Sequence, residues 1–355
     1  MKRVIVGLSG GVDSAVAALL LKREGYDVTG VTLRTWLSES GEESRCCEID
    51  DARFIAMKLG IPYYPLNCAD AFKKCVIDPF VESYLKGETP NPCIECNRYI
   101  KWERMLYYTN IFKCDYVATG HYASVIRLDN GRYTVKQAYH AKKDQTYMLY
   151  KLTQEQLKKT LMPLGELSKE KVREIAFSEG LSVANKPDSQ ELCFVKDNDY
   201  AGYIEAHCGD RIPEEGNFVD DKGNILGRHR GIIHYTVGQR KGLGISAKNP
   251  LYVKHIDPLK NKIVLGEENE VFCDSIECFD TNFLSIERPD KGFEFECRVK
   301  VRYHHSAQDA RVRIMDVNKA AVSFYEPVKA PAAGQSAVFY DDENCVIGGG
   351  IIQRR

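Results

Sequence analysis

An α/β fold, with an open parallel sheet followed by two small all-β modules, is what this sequence predicts, on three observations. Short apolar runs alternate with helical patterns over about the first 120 residues, as strands and crossover helices of one parallel sheet do. From about residue 210 onward, short alternating runs broken by Gly, Asn, Asp and Pro replace them and read as small β units. The 355 residues, 44% hydrophobic and 28% charged, leave room for two or three domains with sizeable cores.

Taken in order, KRVIVGL (2–8) is a short buried strand, and DSAVAALLLKRE (13–24) is a helix stopped by Gly25. DVTGVTL gives a second strand, IDDARFIAMKL a helix stopped by Gly60, and PYYPL a third strand. More helix is expected over 69–85, then a buried strand at DYVATGHY (115–122). VIRLDNGRYTV (125–135) alternates around Asn130-Gly131, a hairpin signal. Thr153 opens TQEQLKK as a T-x-x-Q capping box, and SKEKVREIAFSE is closed by Gly180. These readings divide the chain into a catalytic domain over 1–209, a central β domain over 210–272 and a C-terminal β domain over 273–355.

Composition excludes several classes. No apolar run approaches the roughly 18 residues that span a bilayer. MKRVIVGLSGGVDS begins like a signal peptide, but its apolar run is short and Asp13 follows where a cleavage site would fall. A cytoplasmic protein without a membrane partner is expected. Thirteen scattered cysteines argue for reduced thiols over a disulfide framework. The formal net charge is −1, so nucleic-acid binding must come from local patches.

Ser9-Gly10-Gly11-Val12-Asp13-Ser14 lies between the first strand and the first helix. Glycines there let backbone N–H groups turn toward an anion, and the helix N-terminus adds positive potential. A kinase-type phosphate loop would carry a lysine, and this loop has none. It resembles the SGGxDS pyrophosphatase-loop family, whose members transfer AMP from ATP to an oxygen. The resemblance implies ATP, Mg²⁺ and pyrophosphate release, with Asp13 on the metal side.

Further stretches narrow the likeness. TPNPCIECN (89–97), ATGHYA (118–123), KDQTYML (143–149), KPDSQELCFV (186–195), LGRHRGIIHYTVGQRKGLGI (226–245) and KVRYHH (300–305) together resemble the bacterial tRNA-specific 2-thiouridylase family over essentially the whole chain. That family replaces the 2-oxygen of the anticodon wobble uridine with sulfur. The resemblance implies an adenine-nucleotide alpha hydrolase-like first domain and a β-barrel as the last module. It implies ATP contacts from Gly7, Leu8, Ser9, Gly10, Gly11, Val12, Asp13, Ser14, Leu33 and Gly120. tRNA contacts are implied for Asn91, Pro92, Cys93, His121, Lys143, Asp144, Gln145, Arg302, Tyr303 and Gln335. The implied partners are tRNA and a sulfur donor, either a persulfide-carrier protein or sulfide, acting on a monomer. The chemistry is coherent: a uracil carbonyl is a poor electrophile until adenylation of its oxygen makes AMP the leaving group.

By the same resemblance, Cys193 receives a persulfide and Cys96 is the thiol that attacks it, with Asp13, Cys96 and Cys193 as the catalytic set. Most other cysteines (Cys68, Cys75, Cys114, Cys208, Cys273, Cys278, Cys297 and Cys345) read as small buried hydrophobes, and Cys46-Cys47 stays ambiguous. Cys93 departs from the family pattern N-P-D-x-x-C-N. Three thiols, Cys93, Cys96 and Cys193, can hold a 4Fe–4S cluster by three irons, as related thiolases do. A persulfide relay and a zinc or purely structural site stay open beside it. Residues 222–256 carry seven Lys or Arg and no Asp or Glu, a local stripe suited to phosphates. In ECRVKVRYHH, basic Arg298, Lys300 and Arg302 alternate with Cys297, Val299 and Val301, giving one basic face and one packed face. Rival readings are another synthetase of the same loop family and a non-catalytic RNA-binding metalloprotein.

Overall fold

The structure is a computed structural model and describes residues 1–35, 48–187 and 192–353. Cys46 and Cys47 lie outside them. The first sheet begins with β1 (Arg3–Gly7), β2 (Asp27–Arg34), β3 (Tyr63–Asn67) and β4 (Tyr116–Ala118). A hairpin of β5 (Ala123–Arg127) and β6 (Tyr133–Gln137) follows, and β7 (Thr160–Leu161) completes the sheet. Its order is β3-β2-β1-β4-β7, every pair parallel. Val4, Ile5 and Val6 of β1 are fully buried, because helices cover both faces of the central strand.

One face packs against the helices Val12–Arg23, Ile49–Leu59 and Lys169–Ser178. The other packs Val117 and Ile5 with Trp102, Tyr147 and Tyr150, and with Leu284, Val338 and Tyr340 from the C-terminal module. The last module therefore closes the core of the first.

The hairpin turns at Asn130-Gly131, where Gly131 has φ +82°. The Thr153 capping box forms in full: Gln156 N–H donates to Thr153 Oγ1 at 3.2 Å and Thr153 N–H to Gln156 Oε1 at 2.8 Å. The helix expected over 69–85 differs in detail. Its middle, Lys73–Ile77, is a π-turn between α-helical Ala69–Phe72 and Asp78–Leu85. Pro79 accounts for this, since its ring would clash with the carbonyl four residues back in a regular α-helix.

The central module is a four-stranded sheet of β8 (Gly216–Val219), β9 (Ile225–His229), β10 (Tyr252–Asp257) and β11 (Lys262–Gly266), in the order β10-β11-β8-β9. The last module is a closed barrel of β12 (Phe272–Phe283), β13 (Glu294–Lys300), β14 (Gln308–Asp316), β15 (Lys319–Lys329), β16 (Ser336–Tyr340) and β17 (Val346–Ile352). Alternation puts Ala310, Val312 and Ile314 of β14 inside it. No described helix is long and apolar enough to cross a membrane.

Candidate functional site

The strand order reverses between β1 and β4, so the loops leaving those two strands diverge and open a crevice, the usual ligand position in such sheets. The loop after β1 is the glycine loop. Ser9 N–H donates to Ser14 Oγ at 3.1 Å, and that hydroxyl donates to Gly11 O at 3.1 Å. Gly10 has φ +77°, and a Cβ there would meet Glu48 O at 2.8 Å. Helix Val12–Arg23 starts with no side-chain cap, so its first N–H groups are available to an anion. Gly120, after β4, comes so close that a Cβ would lie 2.7 Å from Ser14 N. Leu33 is partly buried at the end of β2.

The lysine missing from the loop arrives through space. Lys169, buried at the start of its helix, donates to Asp13 Oδ1 at 2.7 Å and Oδ2 at 2.8 Å. Tyr122 OH adds a bond to Asp13 Oδ1 at 2.7 Å. Lys186 donates to Gly10 O at 3.3 Å, to Asp51 Oδ2 at 2.6 Å and to Glu48. Burial lowers its affinity for its proton. Lys169 carried no sequence signal and Lys186 only that of opening KPDSQELCFV; neither was read toward the loop, because each lies more than 150 residues beyond it. Asp13 was expected on the metal side. Its carboxylate is neutralised by Lys169, so a Mg²⁺ at that carboxylate would have to displace an ammonium.

His121 stands beside Gly120. Thr119 Oγ1 and His121 Nδ1 are 2.7 Å apart, and the ring lies 5.4 Å from that of Trp102. Burial, with a smaller effect from Lys101, pushes the imidazole well below its ordinary pKa, so it is neutral at pH 7. Tyr122 N–H donates to Gln145 Oε1 at 2.9 Å, and Gln145 N–H returns to Tyr122 O at 3.0 Å. The Lys143-Asp144-Gln145 loop is thereby stitched to the crevice. Asp144 turns inward, accepting from Thr146 Oγ1 at 2.7 Å, and burial raises its pKa.

Asn91 caps the short helix Pro92–Glu95 by accepting from Cys93 N–H at 3.2 Å, and Cys96 opens the π-turn Cys96–Trp102. Cys96 and Cys193 pack against one apolar cluster, with Phe72, Phe80, Ile100 and Phe194 at its centre. Tyr303, whose hydroxyl pKa is raised chiefly by burial, also feels Asp144 and Cys93. Among the described residues no three His, Cys, Asp or Glu side chains are gathered as a metal site. The Cys93, Cys96 and Cys193 set expected for a 4Fe–4S cluster is not among such groups. Of the cysteines expected to be small buried hydrophobes, Cys68, Cys208, Cys278 and Cys345 are buried, whereas Cys75, Cys114, Cys273 and Cys297 are half-buried.

Two residues expected on tRNA hold domains together. Arg302 donates to Val237 O and Ala330 O, each at 2.7 Å, joining the central module to the barrel. Gln335 Nε2 donates to Thr89 O at 2.6 Å. The expected basic face of the 297–302 strand is likewise engaged, Arg298 donating to Asp341 O at 2.7 Å. The stripe over 222–256 behaves otherwise: Lys222, Arg228, Arg230, Arg240, Lys241 and Lys248 are exposed.

Fold and site together define an α/β enzyme with a glycine loop at the switch point of a parallel sheet, a cysteine-bearing π-turn and two β modules. Three family models match in succession: a tRNA methyl transferase HUP domain over residues 2–197, a tRNA methyl transferase PRC-barrel domain over 202–267 and an aminomethyltransferase beta-barrel domain over 274–352. The chain belongs to the tRNA-specific 2-thiouridylase family. It is 52% identical to the tRNA-specific 2-thiouridylase MnmA of Lachnoclostridium phytofermentans, over 99% of each chain. It is 51% identical to the namesake from Acetivibrio thermocellus, again over 99% of each. A U34-tRNA thiolase, NcsA from Methanococcus maripaludis with its 4Fe-4S cluster, aligns at 21% identity and TM-score 0.36 over 54% of this chain and 60% of that one, too distant to bear on the site.

Proposed function

We propose that this protein is an ATP-dependent transferase that thiolates the 2-position of the wobble uridine in tRNA anticodons. The observation that carries the reading is the glycine loop at the switch point, with Lys169 and Lys186 beside it, in a chain that also packs Cys96 and Cys193 against one cluster. The N–H groups of residues 10–14 and the two ammonium groups would hold the phosphates of ATP. Mg²⁺ would accompany those phosphates and offset their charge. The uridine 2-oxygen attacks the α-phosphorus and pyrophosphate leaves, so the uracil carbon bears AMP as its leaving group. His121 is neutral and held at Nδ1 by Thr119. Its Nε2 is the ring nitrogen that can hydrogen-bond a base extruded into the crevice.

Sulfur arrives as a persulfide on Cys193, supplied by a carrier protein. The Cys96 thiolate attacks the Cys193 sulfur, forming a Cys96–Cys193 disulfide and expelling hydrosulfide. Hydrosulfide adds at the activated carbon and AMP departs. An external dithiol then supplies the two electrons that reopen the disulfide. The exposed stripe over 222–256 would hold tRNA phosphates. A protein of this kind works in the cytoplasm, where thiols stay reduced.

The test is mass spectrometry of nucleosides from tRNA incubated with the protein, ATP, Mg²⁺ and a persulfide or sulfide donor. 2-Thiouridine is the expected product, and its absence with every donor would defeat the proposal. A Cys193→Ala protein that keeps full activity would favour another synthetase of the loop family.

A further inference from the structure

The turn that carries Cys93 and Cys96 is fastened from the far end of the molecule. Glu95 lies between the two thiols, and its carboxylate accepts from Lys151 Nζ at 2.6 Å. The Lys151 side chain is only 3% exposed, and it also donates to Asp280 Oδ2 at 2.7 Å. Asp280 belongs to the barrel. It sits on β12 at φ +49°, within the irregularity that separates Phe279 from Asn282 in the pairing with β17. Such bulges re-aim side chains, and this one turns a barrel carboxylate onto the first domain.

Asn282, two residues on, donates to Tyr150 O at 2.6 Å and Leu152 O at 3.0 Å, bracketing Lys151. The upstream end of the cysteine segment is held as well. Thr89 N–H donates to Ala333 O at 2.8 Å, and Gln335 Nε2 to Thr89 O at 2.6 Å. Asp280 also pairs with Arg98 Nη1 at 3.9 Å, a residue of the π-turn itself, so one barrel carboxylate reaches both Lys151 and the turn that carries Cys96. The segment it steadies begins the π-turn at Cys96, a backbone register found most often at functional positions and less firmly held than an α-helix.

We infer that Lys151 is a positioning residue through which the C-terminal barrel sets the placement of Cys96 for sulfur transfer. The inference rests on the reading of Cys96 as the attacking thiol. The described side-chain bonds of the phosphate loop run instead to Tyr122, Lys169 and Lys186. Sulfur transfer therefore depends on barrel docking in a way that adenylation does not.

The experiment compares full-length wild type with Asp280→Asn, which leaves the Lys151–Glu95 pair balanced and should fold, and with Asp280→Glu. In Asp280→Asn the kcat for 2-thiouridine formation should fall about tenfold, the scale of a misplaced reacting group. tRNA-dependent pyrophosphate release and the KM for tRNA should stay within about twofold, and Asp280→Glu should recover at least half of the lost kcat. Iodoacetamide labelling of Cys96, read by peptide mass spectrometry, should be several-fold faster in Asp280→Asn as the turn loosens. A parallel fall in both reactions, or unchanged thiolation together with unchanged Cys96 labelling, would overturn the inference. If wild type forms no 2-thiouridine, the functional reading has failed, and the labelling arm still decides whether the barrel governs Cys96.

Discussion

At the scale of single residues, two buried side chains, Lys169 and His121, carry separate predictions. Lys169 sits in the fold where a phosphate-loop lysine would sit in sequence, oriented by both oxygens of Asp13. Lys169→Met removes charge-assisted bonds contributing about 1.5–3 kcal/mol each. The apparent affinity for ATP should fall by about 10- to 100-fold in tRNA-dependent pyrophosphate release, with the protein still folded. His121 gives a pH prediction. Its folded pKa is depressed by burial, so the unfolded chain binds the extra proton first. That stability contribution is fully present above the unfolded value near 6.5 and is lost as pH falls below it, with a slope of at most about 1.4 kcal/mol per pH unit. His229 and His305 are depressed by burial too, so wild type should melt at progressively lower temperature from pH 7 to pH 5. His121→Gln should flatten that dependence without abolishing it. An unchanged slope would show that folding leaves the His121 pKa unshifted, against the neutral buried imidazole.

At the scale of elements, the crevice depends on how closely two loops approach. Gly120 is a glycine because the end of β4 lies against the first turn of the helix Val12–Arg23, not because its own backbone demands one. Gly120→Ala would place a methyl 2.7 Å from Asp13 C and Ser14 N. One strand end must move, at about 1–3 kcal/mol. Thermal melting should show that loss, and ATP-dependent turnover should fall further than stability does, because the displaced turn is the one proposed to hold phosphate. The strands and most helices were readable from periodicity and from the stops at Gly25, Gly60 and Gly180. The π-turns were not. Lys73–Ile77 and Cys96–Trp102 keep helical composition, and their shift of register is settled by Pro79 and by tertiary packing, which a hydrophobic pattern does not encode.

At the scale of the molecule, a net charge of −1 leaves tRNA attraction to the exposed stripe. Replacing Arg240 and Lys241 together by alanine should weaken tRNA binding at low salt. It should also lower the slope of log affinity against log salt by roughly 1.4–1.8, as expected for two lost phosphate contacts. Filter binding at several ionic strengths reads this directly, and an unchanged slope would remove the stripe from the interface. The domains also share one core. Leu284, Val338 and Tyr340 of the barrel pack with Tyr147 and Tyr150 of the first domain, which is why Arg302 and Gln335, expected on tRNA, appear in the structure as bonds between modules.

The sequence by itself determined the order of the elements, the glycine loop and the cysteines worth attention, because strand and helix periods, turn residues and short motifs are local properties of the chain. Only the tertiary structure brought Lys169 and Lys186 to the loop, turned Asp144 inward and set Cys96 and Cys193 against one cluster. It also tied the cysteine turn to the barrel through Lys151 and Asp280. Those relations join residues far apart in sequence, and distance-dependent forces such as charge pairing and burial leave no periodic mark along the chain from which they could be read.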